Sequence, residues 1–493
     1  MTKTKRHHPL LMLIHLWTLA KRFIFFVVYL FVIKADSESS FIIYGRIIIF
    51  AAFGIMVITI IWTWFTHKYK LDHKSFHLYK GIFIKSEQTI PFSKIQNVHR
   101  HTSYFHRVFK VTSIHFETGM TGEETTVKFE VISHIEADRL EAHIKSTDGD
   151  ALTTDDVKDT KHANLNRNIH FEPTKMDILK ASFTSLSFLI LIPLVGSFYS
   201  KINGIFHMEK EAKGVFMNII SSEWMVTIII MVLVIASVTF GIVRTFLAYG
   251  KYQISSDHDR IYITKGVIEE TSFSISKEKV QAIEIKQSIM KRLLGLAEVK
   301  LTSAGSFSSD EETLEINSLY PFLPVKRAYD MVSEILPSYE VKQKMIRLPR
   351  KSLWVRLIKP SWIWFIATAI LFYFRPSILK VEQAWWILSA VLFILIAVLR
   401  LLEFMNTRFI LNNQFIQFKT GGMTTSLFIS KRDKIIEVKV TRNIIQQMIG
   451  LASIGTIHRA KPVHHAGVDD VPLELATSFY HWYMGRKNEI KLE

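Results

Sequence analysis

The chain has 493 residues, is 49% hydrophobic, contains no cysteine and carries a formal net charge of +17. That length is too great for one ordinary compact domain, and the apolar fraction indicates a membrane protein. The lack of cysteine excludes disulfides, thiol catalysis and cysteine-ligated zinc or iron–sulfur sites. The excess of positive charge favours binding to nucleic acid or to an anionic membrane surface, and composition alone does not choose between these two partners.

Apolar segments occur in three pairs along the chain, and each pair follows a proline and basic residues. In the first pair, after Pro9, one segment is interrupted by Lys21 and Arg22, and 23–33 continues it. Segment 47–66 is uncharged and has the length that crosses a bilayer of about 30 Å. The other pairs follow Pro173 and Pro349, and they comprise 181–200, 224–243, 361–374 and 384–399.

These pairs predict six transmembrane helices in three hairpins, at 10–66, 173–248 and 349–404. Segments 23–33 and 361–374 are short, so re-entrant or interfacial positions stay open for them. Lysine and arginine are sparse in the hairpin loops and dense on the other side, above all from Lys342 to Lys359. The positive-inside rule therefore predicts that both termini and all polar modules are cytoplasmic.

A polar motif occurs three times, once after each apolar pair. A turn glycine is followed 13 residues later by a lysine, and a second landmark follows after 16 more. Two spacings held in three places establish an internal repeat. The landmarks of the three copies are Gly81, Lys94 and Lys110, then Gly266, Lys279 and Gly295, then Gly421, Lys434 and Gly450.

The repeats predict small β-rich modules at 67–146, 249–338 and 405–486, with a polar linker at 147–172 after the first. Apolar residues alternate on both sides of the turn glycines, which indicates β-hairpins. Each module ends in a helical segment, and in the first module Ser133 and Glu136 fit a capping box. The fold class is therefore an α+β membrane protein, with three transmembrane hairpins each followed by a β-rich module.

The repeated residues also resemble a known family. A Lys-Gly turn, Lys-Ile-Gln-x-Val at 94–98, Arg-Leu-x-Gly-Leu at 292–296 and Thr-x-Ala-Gly at 302–305 resemble the bacterial PH-like domain (bPH2, DUF304-type) of YdbT-like membrane proteins. The first module departs from the pattern at Lys110, where glycine is expected, and the third departs at Ile436 and lacks the Ala-Gly turn.

The resemblance covers nearly the whole chain, and it implies a fold and a location. It implies a strongly bent, seven-stranded sheet with a C-terminal helix in each module. It also implies a multipass protein of the bacterial plasma membrane, often accompanied by a smaller membrane protein with one PH-like module. It implies no established catalytic activity.

The candidate binding residues are basic and fall into two sets. One is the repeated lysine and the other is the juxtamembrane run, and both are candidate contacts to anionic lipid headgroups or protein partners. Near the membrane surface, each such residue contributes roughly 1 kcal/mol of attraction. For the repeated lysine, the alternative is a side chain at a strand end that is solvated or paired within the protein. For the juxtamembrane run, the alternative is that its charge serves only as a topology signal. The residues are Lys94, Lys279, Lys434, Arg347, Arg350 and Lys351.

No catalytic, cofactor or metal site is predicted. The sequence has no His-Glu-x-x-His helix, phosphate loop or Gly-x-Ser-x-Gly elbow, and the spacing of His464-His465 and Asp469-Asp470 is loop-like. Nucleic acid is not an expected partner, because much of the positive charge flanks membrane segments.

The sequence therefore predicts a non-enzymatic scaffold that presents three cytoplasmic modules for protein or lipid-headgroup binding. Envelope maintenance or tolerance of membrane-active compounds would suit this architecture. The alternative is a transporter or export component using the six helices, although the long uncharged segments contain no carboxylate for ion coupling. Ligand, oligomeric state and pathway stay open.

Overall fold

The computed structural model describes residues 4–34, 39–72, 74–81, 85–118, 126–148, 167–184, 223–303, 318–359, 361–375, 384–412, 414–460 and 463–485. The chain forms two compact units. The first comprises Met1–Arg167 and Ile268–Ile275, and the second comprises Asn168–Val267 and Ser276–Glu493. The predicted linker 147–172 lies mostly outside the described residues, and its last part forms a short strand, Asn168–Phe171.

Three consecutive repeats have the same order of elements. A short strand precedes apolar helices, six further strands follow, and a helix closes the repeat. In the first repeat the elements are β1 (Lys5–Arg6), α1 (Leu10–Val27), α2 (Ser40–Thr66), β2 (Lys68–Leu71), β3 (Ser75–Lys80), β4 (Ser86–Pro91), β5 (Ile95–Thr102), α3 (Tyr104–Val108), β6 (Val111–Thr118), β7 (Thr126–Ser133) and α4 (His134–Asp148).

The second and third repeats follow the same plan. The second comprises β8 (Asn168–Phe171), α5 (Lys175–Thr184), α6 (Glu223–Tyr249), β9 (Gln253–Ser256), β10 (Arg260–Lys265), β11 (Glu270–Ser276), β12 (Val280–Gln287), α7 (Ile289–Leu293), β13 (Leu296–Ser303), β14 (Ser318–Pro324) and α8 (Val325–Ile335). The third comprises β15 (Ile346–Arg347), α9 (Arg350–Ile358), α10 (Trp362–Phe374), α11 (Ala384–Asn406), β16 (Arg408–Leu411), β17 (Phe415–Thr420), β18 (Thr425–Lys431), β19 (Ile435–Thr441), α12 (Ile444–Ile449), β20 (Leu451–His458), β21 (His464–Pro472) and α13 (Leu473–Met484).

Four helical stretches of the described residues are long and apolar enough to cross a membrane: Leu10–Val32, Ile42–Thr66, Arg350–Phe374 and Ala384–Asn406. Lys21 and Arg22 interrupt the hydrophobicity of the first but not its helix, which continues from α1 into a π-helical turn, Val28–Ile33. The third is divided into α9 and α10, and α10 alone has 13 residues. Of the six predicted spans, 181–200 lies largely outside the described residues, and α6 holds a shorter apolar stretch, Ile235–Tyr249.

The predicted turns and terminal helices are confirmed. The turn glycines Gly81, Gly266 and Gly421 have φ angles of 111°, 99° and 109°, a conformation that glycine adopts without a steric penalty. The helices α4, α8 and α13 close the repeats as predicted, and Ser133 Oγ accepts a hydrogen bond from the Glu136 backbone at 3.3 Å.

The sheet within each repeat differs from the single bent sheet implied by the resemblance. Each repeat has seven strands, but a 3₁₀ turn that ends in the repeated lysine divides them into four and three. The turns are Phe92–Lys94, Lys277–Lys279 and Arg432–Lys434. Inside the first turn the Ile95 N–H bonds to Phe92 O, so the strand ladder is broken at this corner.

The strands after each of the first two corners pair instead with strands of the following repeat. In the first unit the order is β1-β2-β3-β4 in one sheet and β7-β6-β5-β11 in the other. In the second unit β10-β9-β8 are neighbours, a seven-stranded sheet has the order β14-β13-β12-β18-β17-β16-β15, and β19-β20-β21 form a further sheet.

The hydrophobic cores explain why apolar and polar residues alternate along the strands. In the first repeat Phe76, Phe92, Phe116 and Phe129 are fully buried, and the ring centroids of Phe76 and Phe92 are 4.7 Å apart. Helix α4 covers this cluster with Ala137, Leu140 and Ile144. The third repeat has a comparable core of Phe418, Phe428 and Phe479, to which α13 contributes the last. Each core joins both half-sheets of its repeat to the closing helix.

Candidate functional site

The short strand ahead of each apolar region pairs with the strand that follows it. Lys5 lies opposite Tyr69, Asn168 opposite Ser256, and Ile346 opposite Phe409. The chain therefore enters and leaves each apolar region at the same sheet. Sequence analysis missed these strands because they are only two to four residues long and lie in stretches read as basic tails or linker.

Helix α9 has two different faces, and its outer face combines cations with exposed apolar groups. Arg350 and Lys351 are exposed in the first turn, while Trp354 and Ile358 are 65% and 60% exposed. Cations at a helix N-terminus oppose the helix dipole, so helix stability does not account for them. A face with cations, tryptophan and isoleucine suits an anionic membrane interface. We call these four residues the α9 outer face.

The inner face of α9 is buried against the third module. Ser352 is fully buried, and its Oγ donates a hydrogen bond to the backbone oxygen of Asp470 at 2.5 Å. Val355 and Arg356 are also buried, which completes a stripe spaced for one side of a helix. The same helix therefore contacts the module with one face and presents the outer face away from it.

Arg356 ties three elements together at this joint and is only 6% exposed. Its Nε lies 3.3 Å from Oδ2 of Asp470 on β21, and its other nitrogens donate to the Thr407 hydroxyl at 3.0 Å and the Asp469 carbonyl at 3.2 Å. Glu403, near the end of α11, is 3.5 Å away. A buried cation with this many partners holds α9, the end of α11 and β21 in one arrangement.

Asp470 is equally enclosed and has a constrained backbone. It has a φ angle of 62°, which aspartate tolerates better than most residues. Its Oδ1 accepts a hydrogen bond from Gln446 Nε2 on α12 at 2.8 Å. Both carboxylate oxygens are therefore satisfied, one by a cation and one by an amide, as a buried carboxylate requires. We call Ser352, Arg356, Gln446 and Asp470 the α9 joint.

A signal in the sequence could have revealed this joint. A carboxylate follows the repeated lysine by 36 residues in every repeat, as Glu130, Glu315 and Asp470. In the first repeat Glu130 Oε2 lies 2.7 Å from Nε2 of His15, on the first apolar helix. Glu315 lies outside the described residues. Two of the three carboxylates thus pair with a basic group at the start of an apolar region.

The candidate residues from the sequence separate into two places. Arg347, Arg350 and Lys351 are all exposed and are brought together in β15 and the start of α9. The repeated lysines instead end separate 3₁₀ turns at the sheet corners. There Lys94 is exposed and Lys279 is half-buried.

Lys434 has partners within the protein. Its Nζ donates to the backbone oxygen of Glu278 in the second repeat at 3.2 Å, and it lies 3.7 Å from Asp433. This lysine therefore links consecutive repeats. Asp470, which follows His465 by five residues in the sequence, is bound to Arg356. The described part of the chain has no group of three histidine or carboxylate side chains that could hold a metal.

Comparison with known proteins supplies a family for this geometry. A model of the bacterial PH domain matches the chain three times, at residues 23–147, 190–337 and 365–487. The chain is also 24% identical to the UPF0699 transmembrane protein YdbT of Bacillus subtilis (strain 168), over 99% of both chains. No solved structure matches it significantly.

Proposed function

We propose, because this chain belongs to the bacterial PH domain family, that it is a scaffold whose three PH-like modules bind lipid headgroups or proteins at the cytoplasmic face of the plasma membrane. The matched family is one of PH-like transmembrane proteins and is not a known enzyme family. The observation that carries the proposal is the α9 outer face, since its cations and apolar groups adjoin an apolar helix.

The proposed topology has six helices in three hairpins, with both termini and all modules in the cytoplasm. Strand pairing across each apolar region supports it, because a segment that leaves and re-enters at one sheet crosses the membrane an even number of times. The charge pattern supports the side, since lysine and arginine collect at the module ends of the helices.

We expect cysteine labelling to report this topology directly, since the natural chain has no cysteine. Ser93→Cys lies at an exposed position of the first module's 3₁₀ turn, and Ser39→Cys lies at an exposed position between α1 and α2. A membrane-impermeant maleimide should label the first only in inverted vesicles and the second only in intact spheroplasts. Labelling of both from the same side would contradict the hairpin, and the opposite pattern would reverse the orientation.

The proposed binding mode links lipid contact to module position. Anionic headgroups would neutralise Arg347, Arg350 and Lys351, while Trp354 would sit at the boundary between the headgroups and the acyl chains. The α9 joint would pass any shift of that helix to β21, since Arg356 bonds both sides. Anchoring three modules also raises the effective concentration of their binding surfaces at the membrane, so that weak contacts add up. This suits a role in envelope maintenance or in tolerance of membrane-active compounds.

Replacing Arg347, Arg350 and Lys351 together by glutamine should weaken retention of anionic lipid roughly tenfold or more, because each cation contributes about 1 kcal/mol. Lipid retained by the full chain in mild detergent can be measured by mass spectrometry. The same variant should fail to restore normal permeability in a deletion strain.

The matched control changes Lys128, Lys326 and Lys439 to glutamine, which removes the same charge from exposed positions on module surfaces. Equal lipid loss in both variants would defeat the proposal of a specific face. Proteins recovered with the chain would test the second proposed partner, a smaller membrane protein with one PH-like module. Solute movement in liposomes containing the purified chain would favour transport instead.

A further inference from the structure

The repeats of this chain are joined by hydrogen-bonded strands as well as by covalent linkage. In the first unit β11 of the second repeat is antiparallel to β5 of the first. In the second unit β18 of the third repeat is antiparallel to β12 of the second. We call these two contacts the repeat junctions. Each fills the edge of one half-sheet with a strand from the next repeat.

Both repeat junctions use the same register. Asn97 faces Ile275 in the first junction, and Ala282 faces Ser430 in the second. In each case the third residue after one repeated lysine lies opposite the fourth residue before the next repeated lysine. The same register in two places shows that the pairing belongs to the repeat itself and is not an accident of one sequence.

The second junction is also part of a core. Ala282, on β12, belongs to the buried cluster of the third repeat together with Phe418 and Phe428. Ser430 Oγ crosses the junction and donates to the Gln281 backbone oxygen at 2.9 Å. A strand edge that is filled in this way contributes main-chain hydrogen bonds and apolar contact together.

The two ends of the series leave the corresponding strands at sheet edges. In the described part of the chain, β4 is the last strand of the first sheet and β19 is the first strand of the final sheet. Strand β4 is the equivalent, in the first repeat, of β11 and β18, and β19 is the equivalent, in the third repeat, of β5 and β12. Strand β19 therefore lacks a partner strand of the type that β4 represents, and β4 lacks one of the type that β19 represents.

Exposure confirms that β19 is uncovered where its equivalents are covered. Ile436 is 52% exposed, whereas Gln281 at the same position in the second repeat is 7% exposed. Val440 is 39% exposed, whereas its equivalent Ile285 is 4% exposed. A strand edge with exposed β-branched side chains is a template for another strand.

The edge at β4 shows the same contrast. Thr89 is exposed, whereas the equivalent Ser274 and Ile429 are buried in the two junctions. Glu87 is also exposed, at the position of Ser272 and Leu427. Both edges thus have side chains that a further junction would cover.

We propose that β19 of one molecule pairs with β4 of a second copy of this chain, in the register of the internal junctions. Glu437 would then face Ile90, Val440 would face Glu87, and Thr441 would face Ser86. A second copy is the occupant because this chain carries both halves of the junction. The contact is head-to-tail, so it extends into rows or closes into a ring rather than stopping at two copies.

The edge chemistry sets the strength of this contact. Lys439 and Glu437 are exposed on β19, and such charges hold strand edges apart in solution. Anchoring in one membrane raises the effective concentration of the two edges and offsets that opposition. Association therefore belongs to the membrane-embedded protein rather than to dilute detergent solution.

Disulfide trapping in native membranes tests the register, because the natural chain has no cysteine. Two differently tagged copies are co-expressed, one with Thr441→Cys and the other with Ser86→Cys, and the membranes are oxidised. Facing residues of an antiparallel pair lie within disulfide range. A mixed species of twice the chain mass is expected, and replacing Ser86→Cys by Lys326→Cys, at an exposed position of α8, should abolish it.

Charge changes on the two edges distinguish specific strand pairing from disulfides that form by random collision. Val440→Glu would face Glu87, so the trapped fraction should fall roughly two- to fivefold, and Glu87→Lys in the other copy should restore it. Glu437→Ala should raise the fraction, because the equivalent Asn97 and Ala282 are fully buried. All three sites, Val440, Glu87 and Glu437, are exposed, so the fold tolerates these changes.

Trapping no greater than that of the Lys326→Cys control would overturn the proposal, as would trapping unaffected by Val440→Glu. Recovery of a smaller one-module protein at β19, in place of the mixed species, would overturn the second copy as the occupant.

Discussion

Replacing Arg356 by methionine is expected to destabilise the second compact unit by about 3–5 kcal/mol, because Asp470 then stays buried without its cation. Methionine fills a similar volume, so the loss comes from the charge and the hydrogen bonds to Thr407 and Asp469. Thermal unfolding of the full chain in detergent, followed by tryptophan fluorescence, should show a fall in Tm of roughly 5 °C or more.

Two further variants provide a control and a partial rescue for this measurement. Arg350→Met removes a cation from the exposed side of the same helix, and its effect on Tm should be small. Adding Asp470→Asn to Arg356→Met removes the uncompensated buried charge of Asp470. Asparagine also tolerates the φ angle of 62° at this position. The double variant should therefore recover part of the loss. An Arg356→Met protein as stable as Arg350→Met would show that the α9 joint does not stabilise the unit.

Replacing Gly421 by alanine should destabilise the third repeat by about 2–3 kcal/mol or prevent its β-hairpin from closing. The φ angle there is 109°, where residues with a side chain are strained. An added Cβ would also lie 1.9 Å from the backbone oxygen of Thr424, so the turn itself would have to move. The effect can be read as a fall in Tm and in the yield of folded protein.

Gly450 provides the matched control. Its φ angle is 77°, but no heavy atom lies within 4 Å of an added Cβ. Lys110 occupies the same place in the first repeat with a φ angle of 54°, so this turn accepts a side chain. Gly450→Ala should therefore cost only about 1 kcal/mol. Equal losses in both variants would mean that backbone strain, and not the contact with Thr424, controls the turn.

The comparison at Lys110 shows how far the repeat could be predicted. The expected glycine is replaced there, yet the backbone keeps the left-handed conformation seen at Gly295 and Gly450. The spacing was therefore a better guide than the residue type, because turn geometry recurs at fixed intervals while lysine can adopt it at modest cost. The basic residues of α9 illustrate the opposite case. Arg350 and Arg356 look alike in the sequence, and only burial separates them.

The sequence alone determined the repeats, the hairpin turns, the closing helices and most of the apolar helices. These depend on short-range patterns, since hydrophobic periodicity and turn glycines act within about 20 residues. The tertiary structure decided the break of each sheet at its corner, the repeat junctions and the α9 joint. Arg356 meets Asp470 across 114 residues, and Ser430 meets Gln281 across 149. No local pattern specifies such partners, because they depend on which edges and faces the completed fold brings together.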